Sequence, residues 1–453
     1  MRNTVRGQVL EIYRLKKPDI GGLEKRAGLI YYKYRETIME YVEKSSTPKY
    51  LFWDKVRYLP RPEGMTAEEF WAVVKMLRGL ASRSAQPIAY DETGKYFTWL
   101  RPSGLDEFLH IIDLELGGTL ASTFIDDPTV RRRFISRGIM EEAIASSQLE
   151  GANTTRKAAK RMLSEKHKPA NRSEQMILNN YRAMIEVEET LKNQPLSMTT
   201  LMDLHRILME NTLPPEDIGR FRKQADNITV VDASTGVVYH VPPSEEFLRQ
   251  ELPRLIQYAN DEIDERQFMH PVIKAIFLHF WVGHLHPFID GNGRMARIIF
   301  YWYVIRKGYW AFAYLPISRI IKASPAQYRD AYIYTEQDDN DLTYFLDYNI
   351  RKLAQAKRVF EAYAKRKTEE NRRMTRLARE EYGFNDRQIQ LLRHLHKNPD
   401  AATSIKTHAR VYDISVVTAR KDLEALEEAG FLLSRKIGRD RPFRATEKTV
   451  ELF

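Results

Sequence analysis

Apolar residues recur at helical spacing through most of the chain between residues 116 and 360. This spacing places the apolar residues of each segment on one side of a helix, and those sides must be buried against one another. The sequence therefore predicts a mainly α fold. The expected helices cover residues 137–150, 154–164, 173–192, 198–211, 244–263, 271–284, 292–306 and 325–336.

One stretch interrupts the helical pattern. The β-branched residues of 227–231 and 237–241 flank a turn-forming sequence from Asp232 to Gly236, which predicts two strands joined by a turn. Pro242 and Pro243 follow, and proline cannot donate a hydrogen bond to a strand ladder. Because a lone hairpin is only marginally stable, we expect it to pack beside the helices and to present a backbone edge.

Composition sets the broad class of the protein. The chain has 453 residues, enough for two or three domains, and its formal net charge of +10 permits binding of nucleic acids or nucleotides. It has no cysteine, which excludes disulfides, thiol catalysis and cysteine-bound zinc. The first residues lack the apolar core of a signal peptide, and no apolar run is long enough to span a membrane. We expect a cytoplasmic protein without membrane partners.

The remaining regions have different patterns. Helical periodicity in Gly22–Lys44 and Thr66–Leu80 and a strand-like stretch at Lys95–Leu100 indicate a mixed N-terminal region with an aromatic core. A charge-rich helical pattern near residue 360 indicates a connecting helix. The predicted organisation is an N-terminal region of unassigned role (1–115), a mainly helical domain (116–344), a helical linker (345–381) and a C-terminal domain (382–453).

The C-terminal domain is predicted to be a winged helix-turn-helix. Three amphipathic helices are expected before Gly430 and a basic hairpin after it. In such a fold the second helix of the pair enters the DNA major groove, and here that helix begins at Ser415. Its buried stripe is expected at Ile414, Val417, Leu423 and Leu426, its DNA-facing residues are Ser415, Thr418, Arg420 and Lys421, and the wing residues are Arg435, Lys436, Arg439, Arg441 and Arg444. Association with protein, or with a second copy of the chain, is the alternative role.

A twelve-residue stretch from His286 to Arg297 concentrates groups that suit phosphate chemistry. An apolar helix ends just before it, and a second helix is expected to begin near Asn292. The free N–H groups and the dipole of that second helix make its N-terminus an anion site. Gly291 and Gly293 allow a phosphate to approach the backbone closely.

The charged side chains of this stretch complete the pattern. Asp290 is a carboxylate placed to bind Mg²⁺, an ion that usually combines one or two carboxylates with substrate phosphates. Arg294 and Arg297 can each fork onto phosphate oxygens. His286 can act as a general base for a hydroxyl nucleophile. The chain lacks the P-loop and protein-kinase motifs.

The stretch matches HPFx[DE]GNGRxxR at every fixed position and resembles the signature of Fic-domain proteins. The resemblance extends from about residue 130 to residue 340 and implies an all-helical Fic core with a β-hairpin flap. It also implies transfer of AMP from ATP, with Mg²⁺, to a Ser, Thr or Tyr hydroxyl of a target protein. The GNGR form differs from the lysine-containing variant of Doc-type kinases, which favours nucleotidyl over phosphoryl transfer.

The family pattern implies a role for each matching residue. His286 would deprotonate the target hydroxyl, Phe288 would anchor the loop, and Asp290 would hold Mg²⁺ between the α- and β-phosphates. Arg297 would hold the γ-phosphate. The remaining phosphate contacts would come from Gly291, Asn292, Gly293 and Arg294.

The hairpin resembles the flap of the same family, which aligns a target segment by β-pairing. Val238, Tyr239 and His240 would face the nucleotide or the target. The segment Gly219-Arg-Phe-Arg222 resembles the G-x-[YF]-R sequence that precedes the flap. Tyr328 lies near the position of the family's adenine-binding aromatic residue. Glu336 stands where some members have an asparagine, so this resemblance leaves the adenine contacts open.

A second motif suggests regulation within the chain. Ser146-Ser-Gln-Leu-Glu150-Gly151 resembles the family's [ST]xxxE[GN] inhibitory motif, in the subclass whose inhibitory helix lies N-terminal to the core. The resemblance implies that Glu150 pairs with Arg297 and leaves ATP in an unreactive pose. Two alternatives stay open: Glu150 positions a water that removes AMP, or the chain is a DNA-binding regulator whose Fic domain senses nucleotides. Relatives with this arrangement often dimerise.

Overall fold

The computed structural model describes residues 4–5, 8–9, 11–84, 89–117, 128–232, 235–263, 268–397, 401–434 and 441–452. The chain divides into two compact units, residues 1–357 and residues 358–453. Helices dominate both units, which confirms the predicted mainly α class. No helix in the described ranges is long and apolar enough to cross a membrane.

The N-terminal part of the first unit is mixed. Its longest helix, Ala67–Ala81, begins with a capping box in which Thr66 Oγ1 accepts from the Glu69 amide and Glu69 Oε2 accepts from the Thr66 amide. The periodic stretch near residue 30 forms short helices rather than one, and these pack around Ala67–Ala81. The helices are Gly21–Glu24, Ala27–Lys33, Ile38–Lys44, Trp53–Val56, Ala67–Ala81 and Leu105–Leu116, and the paired strands are Thr4–Val5 with Gln8–Val9 and Arg83–Ser84 with Thr98–Trp99.

Two adjacent helices, Pro271–Leu285 and Asn292–Arg306, form the centre of the first unit. Both are buried on nearly all sides, as expected of helices that are apolar all round, and the largest side chains inside include Trp281 and Trp302. The surrounding α-helices are Pro128–Leu149, Arg156–Ser164, Arg172–Glu189, Met198–Met209, Glu245–Ala259, Ile317–Lys322 and Pro325–Gln337, with 3₁₀ turns at Leu191–Asn193, Pro215–Asp217, Gln224–Asp226 and Trp310–Tyr314. The site loop is the connection between the two central helices.

The predicted hairpin is present, with shorter strands than expected. Val230–Val231 and Val238–His240 pair in antiparallel register, with an irregularity between Val230 and Val231. We call this hairpin the flap. Its second strand also forms a parallel bridge between Val238 and Ile12, so it is not a lone two-stranded element.

The helix Thr343–Glu380 begins in the first unit and ends in the second. The second unit then contains the helices Asp386–Lys397, Ile405–Tyr412, Val416–Glu428 and Glu447–Leu452, and the hairpin Leu432–Ser434 with Phe443–Ala445. Asp422 is buried and accepts hydrogen bonds from Arg387, Asn385 and His408, which ties the first three of these helices together.

One part of the predicted buried stripe in the second unit is wrong. Val417 is 66% exposed, and Ala419 is buried instead, together with Leu423 and Leu426. The helix begins at Val416, so its packed face is set by positions 419, 423 and 426, and Val417 lies off that face. Of the wing residues, Arg441 pairs with Glu427, whereas Arg435, Lys436 and Arg439 lie outside the described residues.

Candidate active site

The loop that follows Pro271–Leu285 starts with a left-handed residue. His286 has φ 48° and ends the helix, donating its amide to Val282 O. Arg222 secures this end: its guanidinium donates to His286 O at 2.8 Å, to Leu285 O at 3.1 Å and to Pro243 O at 2.6 Å. The last carbonyls of a helix have no partners within it. Arg222 therefore fixes the backbone that carries His286.

The ring of His286 is held in one orientation. Its Nδ1 lies 3.4 Å from Gly283 O, and because a carbonyl can only accept, this contact favours the proton on Nδ1 and leaves the Nε2 lone pair available. Burial, with a further contribution from the charge of His240, lowers the pKa of His286 to about 3. The ordinary pKa of a histidine is about 6.5. In the structure the imidazole is neutral throughout the physiological range.

The middle of the loop is pinned to the core. Phe288 is fully buried and stacks on the ring of His205, with ring centroids 4.0 Å apart. His205 Nδ1 accepts from the Gly219 amide, so its Nε2 carries the proton and donates to Asp290 O at 3.1 Å. Asn292 Oδ1 accepts from the Phe288 amide and its Nδ2 donates to Phe288 O. The side chain of Asn292 therefore closes the loop, and only its backbone can contact a phosphate.

The helix Asn292–Arg306 begins without a side-chain cap, after Gly291 at φ 82°. Its first N–H groups therefore remain suited to an anion. Asp290 lies beside this end with its carboxylate partly exposed, and Oδ1 accepts from the Gly291 amide at 2.6 Å. A half-exposed carboxylate oxygen next to an anion site is a fitting ligand for Mg²⁺.

The two arginines of the motif differ in position. Arg294 is fully buried and donates to Leu208 O and Met209 Sδ, and a Cβ placed on Gly291 would lie 3.7 Å from its Nη2, so its guanidinium packs beneath the loop. Arg297 is 3% exposed and donates from Nε to Ser146 Oγ at 2.8 Å and from Nη2 to Glu150 Oε1 at 2.8 Å. Its Nη1 is buried and has no hydrogen-bond partner among the described residues. Arg297 is therefore paired with a carboxylate, an anionic partner that a phosphate could replace.

The carboxylate of Glu150 occupies the anion site itself. Glu150 follows the last residue of Pro128–Leu149, and Gly151, at φ 92°, turns the chain away. A Cβ placed on Gly293 would lie 2.1 Å from Glu150 Oε1, so the carboxylate rests against the first turn of the phosphate-facing helix. Burial acts to lower the pKa of Arg297, but the charge and the hydrogen bond of Glu150, together with contributions from Tyr328 and Glu142, raise that pKa overall. The contact is a charged hydrogen bond, the stronger kind.

The flap residues face three different environments. The sequence placed Val238 among the residues that face the nucleotide or target, but its side chain is fully buried and only its backbone is at the edge. Tyr239 donates to Asp232 and accepts from Arg329. His240 faces inward, donating from Nδ1 to Glu336 Oε2 at 2.9 Å and from Nε2 to His284 O at 2.8 Å.

His240, His284 and Glu336 also form a set of side chains that could surround a metal ion. His284 Nδ1 contacts Glu336 Oε1 at 2.7 Å. However, both ring nitrogens of His240 face groups that only accept, so both carry protons and neither offers a lone pair to a metal. Burial acts to lower the pKa of His240, but the charge of Glu336 raises it overall. The cluster is thus a charged hydrogen-bonded link, here called the tie, between His240 of the flap and Glu336 of the helix Pro325–Gln337.

Tyr328 lies behind the arginine of the site. Its hydroxyl contacts His279 Nε2 at 2.8 Å, and Tyr332 donates to His279 O. Burial, with a further contribution from Arg297, lowers the pKa of His279 to about 3. His279 is therefore a neutral, enclosed ring that packs against Tyr328.

Residues 195–304 match the sequence profile of the Fic/DOC family. They form a Fic domain. The match includes Arg222, the flap and the whole loop from His286 to Arg297, and it lies inside the segment in which the motif resemblance was found.

Relatives of the Fic domain include proteins named protein adenylyltransferase Fic. The one from Drosophila ananassae is 31% identical over 119 residues, which is 26% of this chain and 22% of the relative. The one from Culex quinquefasciatus is 32% identical over 135 residues, which is 29% of this chain and 25% of the relative. The chain thus spans about a quarter of the length of these curated relatives. A Fic family protein from Desulfovibrio desulfuricans G20 aligns in structure at 19% identity and a TM-score of 0.49, covering 76% of this chain and 95% of that chain.

Several residues that shape the Fic domain's site were missed in the sequence. His205 lies in an ordinary amphipathic helix, and nothing in its surroundings marks it as the partner of Phe288. The tie between Glu336 and His240 joins residues 96 positions apart. Only the departure from the family's asparagine at position 336 could have drawn attention to it.

The tie predicts a pH-dependent attachment of the flap to the Fic domain. The pKa of His240 is raised, so its stabilising contribution is complete below about pH 6.5 and is lost as the pH rises through the raised pKa. The pKa of Glu336 is lowered, so its contribution is complete above about pH 4.5 and is lost as the pH falls towards the lowered pKa. Attachment should therefore be strongest between these limits.

Glu336→Gln tests this pH dependence. We expect the variant to lower the pKa of His240, because the charge and the hydrogen bond of Glu336 that raise it are weakened or lost while burial still lowers it. Histidine ring chemical shifts, followed by NMR during a pH titration, measure this value. Asp330→Asn, on the same helix but without contact to His240, is the control. Unchanged shifts at His240 in Glu336→Gln would contradict the tie.

Proposed function

We propose that the chain transfers AMP from ATP to a Ser, Thr or Tyr hydroxyl of a target protein. The observation that carries the proposal is the arrangement of the loop. A neutral His286 with an available Nε2 follows one helix, and the uncapped N-terminus of the next helix and the guanidinium of Arg297 lie a few residues away. The names of the relatives agree with this reaction.

The proposed reaction gives each group one task. The target oxygen forms a bond to the α-phosphorus, the bond to the bridging oxygen breaks, and pyrophosphate leaves. His286 Nε2 takes the hydroxyl proton, and the approach of an anionic nucleotide would raise its low pKa and make it a stronger base. Backbone N–H groups of residues 292 and 293 and the guanidinium of Arg297 would bind phosphate oxygens.

Asp290 would hold Mg²⁺ at this site. The ion would neutralise charge on the phosphates, and the partly exposed carboxylate beside the helix N-terminus fits that use. The buried guanidinium of Arg294 contacts the end of Met198–Met209 and packs against Gly291, where it would add positive charge to the phosphate site.

Glu150 would inhibit the same site. Its carboxylate bonds to Arg297 and lies against Gly293, where a phosphate would otherwise be bound. A carboxylate and a phosphate compete for one guanidinium. While Glu150 is bonded to Arg297, that arginine would not be available to hold the terminal phosphate of a bound ATP.

Intact-mass spectrometry tests the activity directly. The Glu150→Gly chain is incubated with ATP and Mg²⁺, and we expect protein species whose added mass equals AMP less one water. Incubation with an ATP analogue that cannot be cleaved between the α- and β-phosphates is the control and should give no such species. An added mass equal to a phosphoryl group would contradict nucleotidyl transfer.

We further propose that the second unit binds DNA. The observation in favour is the exposed face at the start of Val416–Glu428. Val416 and Val417 are 53% and 66% exposed, and Arg420 and Lys421 are exposed on the next turn. Apolar side chains can contact thymine methyl groups, and the basic side chains can bind phosphates. Ser415 and Thr418 bond to each other as the helix cap and are less available.

The salt dependence of binding tests this second proposal. Affinity of the full chain for duplex DNA should fall at least about tenfold between roughly 50 and 200 mM salt, because phosphate contacts release counterions. Arg420→Ala should weaken binding and reduce the salt slope. Lys365→Ala, an exposed charge on the helix Thr343–Glu380, should leave both unchanged. Affinity that is flat with salt would point instead to protein association.

A further inference from the structure

The outer edge of the flap is already paired with another segment of the same chain. The Val238 amide donates to Glu11 O at 2.9 Å, and the Tyr13 amide donates to Val238 O at 2.9 Å. Ile12 and Val238 therefore form a parallel β-bridge, on the side of the strand opposite Val230–Val231. Both hydrogen-bonding groups of Val238 that face away from the hairpin are occupied.

A side chain extends this pairing beyond the flap. Gln337 Oε1 accepts from the Leu15 amide at 2.9 Å, and Gln337 Nε2 donates to Tyr13 O at 2.9 Å. An amide side chain thus bonds to the residues on both sides of Arg14, as a neighbouring strand would. Gln337 follows Glu336, the residue that holds His240, so adjacent residues secure the flap and the segment paired with it.

The paired segment is anchored at its C-terminal side. Leu15 packs against the core of the N-terminal helices, and Ile20 is buried in that core. The ring of Tyr13 lies edge-on to that of Tyr239 at 5.6 Å, although Tyr13 itself is 41% exposed. The segment from Glu11 to Leu15 is therefore held by backbone bonds and an anchor, with few buried side chains of its own.

We propose that residues 11–15 are a resident strand that competes, within the chain, with an extended segment of the target for the flap edge at Val238. This rests on the proposed function and on the expectation, from the family resemblance, that a target segment pairs with the flap. A tethered strand has an effective concentration near the millimolar range, which a weakly bound target cannot match. Transfer to other proteins then requires release of this strand in addition to release of Glu150.

Tyr13→Pro is the decisive variant. Proline has no N–H, so the bond to Val238 O is lost, whereas Tyr13→Phe keeps the amide and the ring contact and is the matched control. In the Glu150→Gly background, we measure labelled AMP incorporated into the other proteins of a cell lysate. We expect Tyr13→Pro to exceed Tyr13→Phe by roughly fivefold, the effect of one net hydrogen bond. Equal rates in the two variants would overturn the proposal.

A peptide with the sequence of residues 8–17 provides an independent readout. Labelled with a fluorophore, it should bind the Tyr13→Pro chain at least about tenfold more tightly than the Tyr13→Phe chain, because the tethered strand competes only in the latter. A peptide of scrambled sequence should bind neither chain. Gln337→Ala removes two hydrogen bonds to residues 11–15 without changing the sequence of that segment. It should therefore behave like Tyr13→Pro, and it provides the test if the proline variant fails to fold.

The two readouts separate failure of this inference from failure of the proposed function. If the Glu150→Gly chain incorporates no AMP, either into itself or into other proteins, the proposed activity is refuted. Peptide binding would still show whether residues 11–15 occupy the flap edge. Incorporation that is equal in all variants, with equal peptide binding, would refute the resident strand and leave the activity intact.

Discussion

Replacing His286 is expected to lower the rate of AMP transfer by roughly 100- to 10,000-fold, the usual contribution of a general base. Among the residues that the structure describes, His240 and Glu336 are poorly placed to take the proton instead. His240 carries protons on both nitrogens because both face acceptors, and Glu336, which bonds to it, is held by two histidines. Loss of the imidazole should therefore remove proton transfer without removing the phosphate site.

The variant must keep the shape of the loop. His286 is left-handed, a conformation that asparagine adopts more easily than alanine, so His286→Asn accompanies His286→Ala. Arg222 binds the backbone oxygen of residue 286 and should keep doing so in both. Initial rates of AMP incorporation are measured in the Glu150→Gly background, with the exposed His167→Ala as control. A rate in either variant close to that of the control would show that another group is the base.

The loop could be predicted because its information is local. Twelve consecutive residues contain the base, the carboxylate, the glycines and the arginines, and the two flanking helices have clear apolar patterns. The anchoring role of Phe288 and the start of a helix at Asn292 agree with the structure. A short loop between two buried helices has little freedom to arrange these groups differently.

The different partners of the two arginines could not be read from the sequence. Three helical residues turn the side chain by about 300°, so Arg294 and Arg297 lie about 60° apart around the axis. Packing against Met198–Met209 places Arg294 beneath Gly291, whereas Arg297 meets Glu150. The exposed position of Val417 in the second unit has the same origin, because spacing gives the period of a helix but packing selects its buried face.

Contacts between distant residues were also beyond the sequence. The segment at Tyr13 meets Val238, and Gln337 meets both Tyr13 and Leu15, across more than two hundred positions. Strand pairing depends on backbone groups that every residue except proline has in full, so side-chain patterns do not reveal it. The sequence indicated that the flap would present an edge, and only the fold reveals which segment occupies that edge.

Glu150→Gly is expected to raise AMP incorporation roughly 10- to 100-fold, because a charged hydrogen bond contributes about 1.5–3 kcal/mol and each 1.4 kcal/mol is a factor of ten. The substitution removes the acceptor 2.8 Å from Arg297 Nη2 and the negative charge beside Gly293. Glycine should be tolerated, because residue 150 follows the last residue of its helix and precedes a turn at Gly151. Glu150→Gln keeps an acceptor without the charge and should give an intermediate rate.

A double-mutant cycle shows whether the gain depends on Arg297. Ser146 Oγ and the Ser146 carbonyl also accept from this arginine, so removing Glu150 alone should leave the guanidinium in place for a phosphate. In an Arg297→Ala chain, by contrast, Glu150→Gly should raise the rate of AMP incorporation far less, because Glu150 then has no arginine to release. Initial rates of AMP incorporation for the four chains measure this coupling. An equal gain with and without Arg297 would mean that Glu150 restrains the site through the charge it places at Gly293 and not through the arginine.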